Sequence, residues 1–426
     1  MQKSQTIKNK IFKCVAICLG LIIAFGCGYF SRYIFDTRNS NVASDVIKLI
    51  DKVGYVYDQT TGEERLLTEK EIADAITQSV LDDYAKYYTA EELVDLTNQR
   101  VGNNSGIGIS FIDSDLIIDK IIGGSPAQAH GLKAGDRMVS ASTSTGQEVY
   151  FYTYENFATF MKDVEVGQTI NLTVERLGEN ITFSLPKQKY IASYVTYQDS
   201  EAKIGYENKN GKLEMNITQE QATFLDEDKA IITFQSFNGG CVSQLKGILD
   251  KMKERGRTKL VLDLRNNGGG YVELLQDVCS MLINNQGNPS SLVAVAKGKK
   301  GTNPQYFYTT KNLYYSHISS LSVLANENTA SASECLIGAL IHYGELTFDR
   351  LVIEKNSEGV AKTYGKGIMQ TTYTLTTGGA LKLTTAKIYW PDGQTSIHSK
   401  GIIAKGENAT DSVNALSRAL YVLDLP

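Results

Sequence analysis

The sequence predicts an α/β fold of mixed α+β character, and three observations carry that reading. From Lys229 to Gly344, short apolar runs alternate with amphipathic stretches in β-α-β-α order, the pattern of a largely parallel sheet with helices packed on it. Between Val101 and Lys187, apolar residues come in short, partly alternating runs broken by glycine turns, which is the pattern of strands. Before residue 100, apolar residues recur three and four apart, which is the pattern of helices.

In chain order, Lys3, Lys8, Lys10 and Lys13 precede an apolar run from Cys14 to Phe30 that Arg32 closes. The run is long enough to cross a bilayer. Upstream lysines stay cytoplasmic, so the rest of the chain is expected outside. Residues 1–35 therefore read as a cytoplasmic tail and transmembrane signal anchor. A cleaved signal peptide competes, but no A-x-A-like site follows. A lipoprotein attached at Cys27 also competes, but Ala24 is a poor first residue for its "AFGC" box.

Residues 36–100 read as a helical region. "SDVIKLIDKVGYVY" and "TEKEIADAITQSVLDDY" carry the helical spacing, and Thr68 with Glu71 forms a capping box at the start of the second. "DDYAKYYTAEELVDL" then reads as a turn and another helix start. Residues 101–187 form a small β domain. "GIGISFIDSDLIIDKII" gives strands, a short helix starts after Pro126, and "GQTINLTVERLGENITFSL" is a hairpin turning across Leu177 to Asn180. The polar "YQDSEAKIGYENKNGKLEMNIT" reads as a separating stretch. Residues 188–426 hold the core. Its strands are "KAIITFQSF", "TKLVLDLRNNGGG" and "LSVLANEN". Its helices are "CVSQLKGILDKMKERG", "YVELLQDVCSMLINN" and "ASECLIGALIHYG". A Thr-rich hairpin turning at Gly378-Gly379 ends it.

Composition excludes some classes. The net charge of −4 gives no reason to expect a nucleic-acid partner. Cys241, Cys279 and Cys335 sit among apolar or small residues and lack metal-ligand spacing, so they read as small core residues, and neither metal nor cofactor is expected.

The candidate chemistry lies where strands run into helices, since ligands bind there in open α/β sheets. "NENTASASECLIGAL" (326–340) places hydroxyls beside alanines just before a helix, whose first N–H groups can stabilise an oxyanion. "DLRNNGGG" has the same context, with Gly268, Gly269 and Gly270 freeing the backbone for close approach. A hydroxyl nucleophile needs a base. Of His130, His317, His342 and His398, only His342 is near in sequence, and it falls turns away from the helix start. Lys is the other recurrent partner for Ser, provided it is neutral, and "YGKGIMQ" sets Lys366 between two glycines with Gln370 four residues on. Ser243-x-x-Lys246 fits the first motif of penicillin-binding acyl transferases, but no S-D-N or K-T-G follows. "GVAKTYGKG" lacks P-loop spacing.

These stretches resemble the carboxyl-terminal processing peptidases, serine endopeptidases with a Ser-Lys pair. "DDYAKYYTAEE" is similar to the family's "LDPYSxYLTPEE", and "SGIGISF" with "GSPAQAHGLKAGDRMVSAS" resembles its PDZ domain. "VLDLRNNGGG", "VLANENTASASE", "YGKGIMQ" and "GGALKLTTAKIYWPDGQTSIHSKGI" resemble further family blocks, all in family order. The resemblance implies Ser331 as nucleophile, Lys366 as general base and Gln370 as the residue that positions it. It implies an oxyanion hole from the amides of Gly269 and Ala332, and a peptide-binding loop at Gly106, Ile107, Gly108 and Ile109. Thr329 replaces the first Ser of "SASASE", Gly268 replaces a Pro, and the Ser331–Lys366 segment is about ten residues longer than usual, with an extra loop expected in "LTFDRLVIEKNSEGV". The expected protein is a PDZ-gated endopeptidase in a bacterial cell membrane, single-pass, with its catalytic part extracytoplasmic. It would act on protein or peptide substrates with accessible C-termini and form a homodimer. The competing reading is an inactive membrane-anchored peptide-binding scaffold.

Overall fold

The computed structural model describes residues 47, 50, 65–111, 116–144, 146–209, 212–300, 302–376 and 378–425. The expected anchor at 1–35, with Cys14, Cys18 and Cys27, and most of the helical stretch 44–57 lie outside the described residues. Among the described residues, no helix is long and apolar enough to cross a membrane. The chain divides after Val80 into two compact units. In the first, the helix Glu69–Val80 opens on the expected capping box. Thr68 N–H donates to Glu71 Oε2 at 2.8 Å and Glu71 N–H to Thr68 Oγ1 at 3.2 Å.

The second unit is built on an eight-stranded mixed sheet. Its order is Lys212–Gln219, Ala202–Lys209, Val195–Asp199, Lys229–Phe234, Lys259–Asp263, Ser320–Ala325, Leu351–Glu354 and Ala409–Thr410. The first three junctions are antiparallel and the rest parallel. Ser320–Ala325 is buried along its whole length, as a strand covered on both faces must be. The helices Cys241–Glu254, Val272–Leu282 and Ala332–His342 contribute to the larger core, and the helix Ser412–Tyr421 contributes Ala415, Ala419 and Leu420 to a second one. Cys241, Cys279 and Cys335 are buried and free.

Two readings change here. The polar stretch after Gln198 is no separator: it forms two antiparallel strands that extend the sheet to its edge. Edge strands need only one buried face, so the apolar signal that marks central strands is absent. "LTFDRLVIEKNSEGV" is also more than a loop. Leu351–Glu354 is a sheet strand parallel to Ser320–Ala325, followed by a turn that an antiparallel bridge between Lys355 and Ala361 closes.

A second, antiparallel sheet joins Lys86–Tyr88, Ala380–Tyr389, Leu292–Lys297 and Gln305–Tyr308, with Ile368–Thr374 paired to Ala380–Tyr389 through the expected glycine turn. Lys86–Tyr88 was not foreseen. Three residues are too few to show a period. The residues between Gly106 and Gln188 have their own core, including Ile107, Ile118, Met138, Phe157, Leu172 and Leu185. It is formed by a four-stranded sheet, Val149–Tyr150, Arg137–Thr143, Thr169–Arg176 and Glu179–Pro186, with the helix Tyr154–Asp163. That helix also escaped the sequence reading: its capping box uses Asn156 instead of Glu or Gln.

Candidate active site

Lys259–Asp263 and Ser320–Ala325 are parallel neighbours, so the loops leaving their C-terminal ends, 264–271 and 326–331, lie side by side. Asn267 joins them: its carbonyl accepts from Ala330 N–H at 3.0 Å and from Ser333 Oγ at 2.9 Å, and its side chain donates to Phe234 O at 2.7 Å. Thr329, the departure from "SASASE", fits here because its hydroxyl donates to Leu264 O at 2.8 Å.

Ser331 stands immediately before the helix Ala332–His342, with φ 58° and ψ −115°. A side chain in this region costs about 1–3 kcal/mol and persists only where the surroundings hold it. They do so here: Ser331 N–H donates to Glu334 Oε2 at 2.9 Å, and its carbonyl accepts from Cys335 N–H at 3.0 Å. The result is a sharp strand-to-helix turn that presents a half-buried hydroxyl at a helix N-terminus. His342 lies at the far end of that helix, about 15 Å away along its axis.

Glu334 was not singled out from the sequence, although Ser331-x-x-Glu334 before an apolar run has the capping-box pattern. It is fully buried and accepts four hydrogen bonds. Thr363 Oγ1 (2.6 Å) and Gly365 N–H (2.8 Å) reach Oε1, while Lys366 N–H (3.0 Å) shares Oε2 with Ser331 N–H. The backbones of Ser331 and Lys366 thus converge on one carboxylate oxygen. Burial pushes this carboxyl's pKa up, and the four donors oppose that shift.

The side chains of the expected dyad do not meet. Among the described residues no hydrogen bond joins Ser331 Oγ to Lys366 Nζ; the amine lies 4.5 Å from the centroid of the Tyr84 ring. Burial lowers the Lys366 pKa, Lys382 lowers it further, and Asp82 opposes both. Gln370 Nε2 donates across the hairpin to Thr384 Oγ1 at 3.4 Å and not to the lysine.

The two expected oxyanion donors are adjacent. A Cβ on Gly269 (φ +96°) would come within 2.8 Å of Ala332 N, Ala330 O and Ser331 Cβ, so only glycine fits beside the turn. Ala332 N–H is the first of its helix, a position without an intrahelical acceptor. Gly269 N–H is engaged: it donates to Asn267 Oδ1 at 3.0 Å.

Gly106, Ile107, Gly108 and Ile109 line a groove of about 540 Å³ that also takes in Phe157 and Met161 and reaches Ser236 and Tyr271. Among the described residues, no acceptor takes the N–H groups of Ile107 and Gly108. Lys120 lines the same groove, and its ammonium donates to Asn266 O at 2.6 Å and Gln235 O at 3.2 Å. It therefore touches the loop that carries Gly269.

Comparison with known proteins follows the same lines. Residues 228–405 match the model of "Peptidase family S41". The chain is 26% identical to a "Probable CtpA-like serine protease" of Staphylococcus aureus (strain MRSA252), over 94% of this chain and 73% of that one. A protein of the same description from Staphylococcus haemolyticus (strain JCSC1435) is 25% identical over 97% and 76%. Among solved structures, "photosystem II D1 C-terminal processing protease" shares the fold, with a TM-score of 0.50 and 21% identity over 89% of this chain and 96% of that one.

Proposed function

We propose that this chain, a serine peptidase whose residues 228–405 belong to family S41, cuts exported proteins at or near their C-terminal tails through Ser331 and Lys366. The observation that carries the reading is the convergence of the Ser331 and Lys366 backbones on Glu334 Oε2, beside a strained nucleophile turn. In the reaction, the neutral Lys366 amine accepts the Ser331 hydroxyl proton as Oγ bonds to the peptide carbonyl carbon. The oxyanion forms against the amides of Ala332 and Gly269. Collapse breaks the C–N bond, the lysine returns its proton to the leaving amine, and water then releases the acyl group.

The geometry described above is read as a resting arrangement. Lys366 must leave Tyr84, Gln370 must turn from Thr384 to the amine, and Gly269 N–H must leave Asn267 Oδ1. Residues 101–187 are read as a PDZ-like domain. The amides of Ile107 and Gly108, free of partners among the described residues, would take a terminal carboxylate, and Lys120 would carry that occupancy to the Asn266 loop. Residues 1–35 are read as the membrane anchor.

The test uses a substrate protein with an apolar C-terminal tail. Ser331→Ala and Lys366→Arg should each abolish cleavage, because a guanidinium does not give up its proton. Because burial depresses the Lys366 pKa, activity should persist below the ordinary lysine range and fall as pH drops through the depressed value. Near-normal turnover by Lys366→Arg assigns the base elsewhere.

A further inference from the structure

We propose that Tyr84 is a positioning residue for Lys366, its ring face being the berth on which the ammonium rests between turnovers. The proposal rests on the reading of Lys366 as the base, and the test below separates the two. Lys366 Nζ lies 4.5 Å from the ring centroid, and among the described residues no hydrogen-bond acceptor takes the amine. The ring is tied to both halves of the site. Its hydroxyl is 3.5 Å from that of Tyr364, two residues before Lys366, and Tyr364 N–H donates to Thr329 O at 3.0 Å, two residues before Ser331.

The groups facing the amine pull in both directions. Lys382, from the strand Ala380–Tyr389, repels its charge, and Asp82, from the turn before Tyr84, attracts it. Glu334, from the helix after Ser331, is committed to four donors, including Lys366 N–H. His398 packs its backbone on Gly367. Burial pushes the Tyr84 hydroxyl up to about 12, so the ring is neutral across the working pH range.

An aromatic face attracts a cation and gives a neutral amine no comparable attraction. The berth therefore discriminates between the two protonation states. It retains the ammonium and frees the neutral amine to approach Ser331 Oγ. It also raises the lysine pKa, against burial and Lys382, and so sets the pH at which the base becomes available.

The experiment compares the full-length protein with Tyr84→Phe, Tyr84→Leu and Tyr84→Met. Phe keeps the face and loses the hydroxyl. Leu and Met keep apolar cover and lose the face, and Met adapts where Leu fails to fold. Two profiles are measured: acylation of Lys366 by trace acetic anhydride against pH, followed by mass spectrometry at that residue, and kcat/KM against pH on a tailed protein. Loss of the face should lower the acylation midpoint by about 0.4–1.5 pH units and move the acid limb of kcat/KM with it, while Phe leaves both in place. An unchanged midpoint in Leu and Met, or a Phe variant that falls as far as they do, overturns the berth. Midpoints that move while the kcat/KM limb stays fixed uphold the berth and remove Lys366 from the role of base.

Discussion

At the scale of single residues, Glu334 joins the backbones of Ser331 and Lys366, the proposed nucleophile and base. Its two oxygens accept from four donors, so an amide in its place turns one NH2 group toward donors already there. Each buried donor left without an acceptor costs about 1–3 kcal/mol. Glu334→Gln should therefore unfold at lower urea concentration and lose kcat about a hundredfold, with KM little changed, since the groove is elsewhere. A loss confined to KM would contradict this role. Gly269→Ala should lose as much activity, because its Cβ has no room beside Ala332 N, and a substrate kinetic assay would show it. Ser331, Lys366 and Gln370 stand out as candidates in the sequence because loops at strand ends are spelled by short motifs. The placement of the Lys366 amine over the Tyr84 ring was not legible: 282 positions separate the two residues, and a rotamer leaves no trace in the sequence.

At the scale of elements, the groove makes the sharpest claim. The amides of Ile107 and Gly108, which no acceptor among the described residues takes, lie in its wall, and Lys120 links that wall to Asn266. A peptide amidated at its C-terminus loses charge-assisted hydrogen bonds of about 1.5–3 kcal/mol, which weakens engagement about ten- to hundredfold. The free-acid peptide should be cut faster than its amide, and Lys120→Met should shrink that difference. The structure also says where to cut. Gly106 pairs with Gln188, and Gly102 packs on Gly239, so excision of residues 107–187 with a short glycine closure keeps both contacts. In that variant, acid and amide should be cleaved alike; a preference that survives the excision places carboxylate recognition outside the small domain. Both hairpins were legible from their glycine turns. The helix Tyr154–Asp163 was not, since its cap uses an unusual partner.

At the scale of the whole molecule, the parallel half of the sheet was legible from continuous apolar strands. The antiparallel half was not, because strands with a solvent face at a sheet edge look polar. Asp199 holds these halves together. It is fully buried at the end of Val195–Asp199 and accepts from Arg255 Nε at 2.5 Å, Arg257 Nε at 3.1 Å and Tyr197 Oη at 2.8 Å, the arginines coming from the segment between the helix Cys241–Glu254 and the strand Lys259–Asp263. Burial alone would raise its pKa, but the Arg255 guanidinium and the other donors outweigh it and hold the carboxyl well below its usual range. A depressed folded pKa gives stability that is present in full above the unfolded value, near 3.9, and is lost progressively as pH falls from there through the depressed folded value. Breaking such a buried pair costs about 3–5 kcal/mol. Asp199→Asn should therefore lower the urea midpoint strongly at pH 7, and the gap to the unmodified chain should narrow toward pH 3. A gap of constant size would mean that folding leaves the Asp199 pKa unshifted. The same measurements divide the acid-side loss of activity into two parts: loss caused by a protonated Lys366 occurs in a folded chain and reverses at once when pH is restored, whereas loss caused by Asp199 follows the unfolding curve.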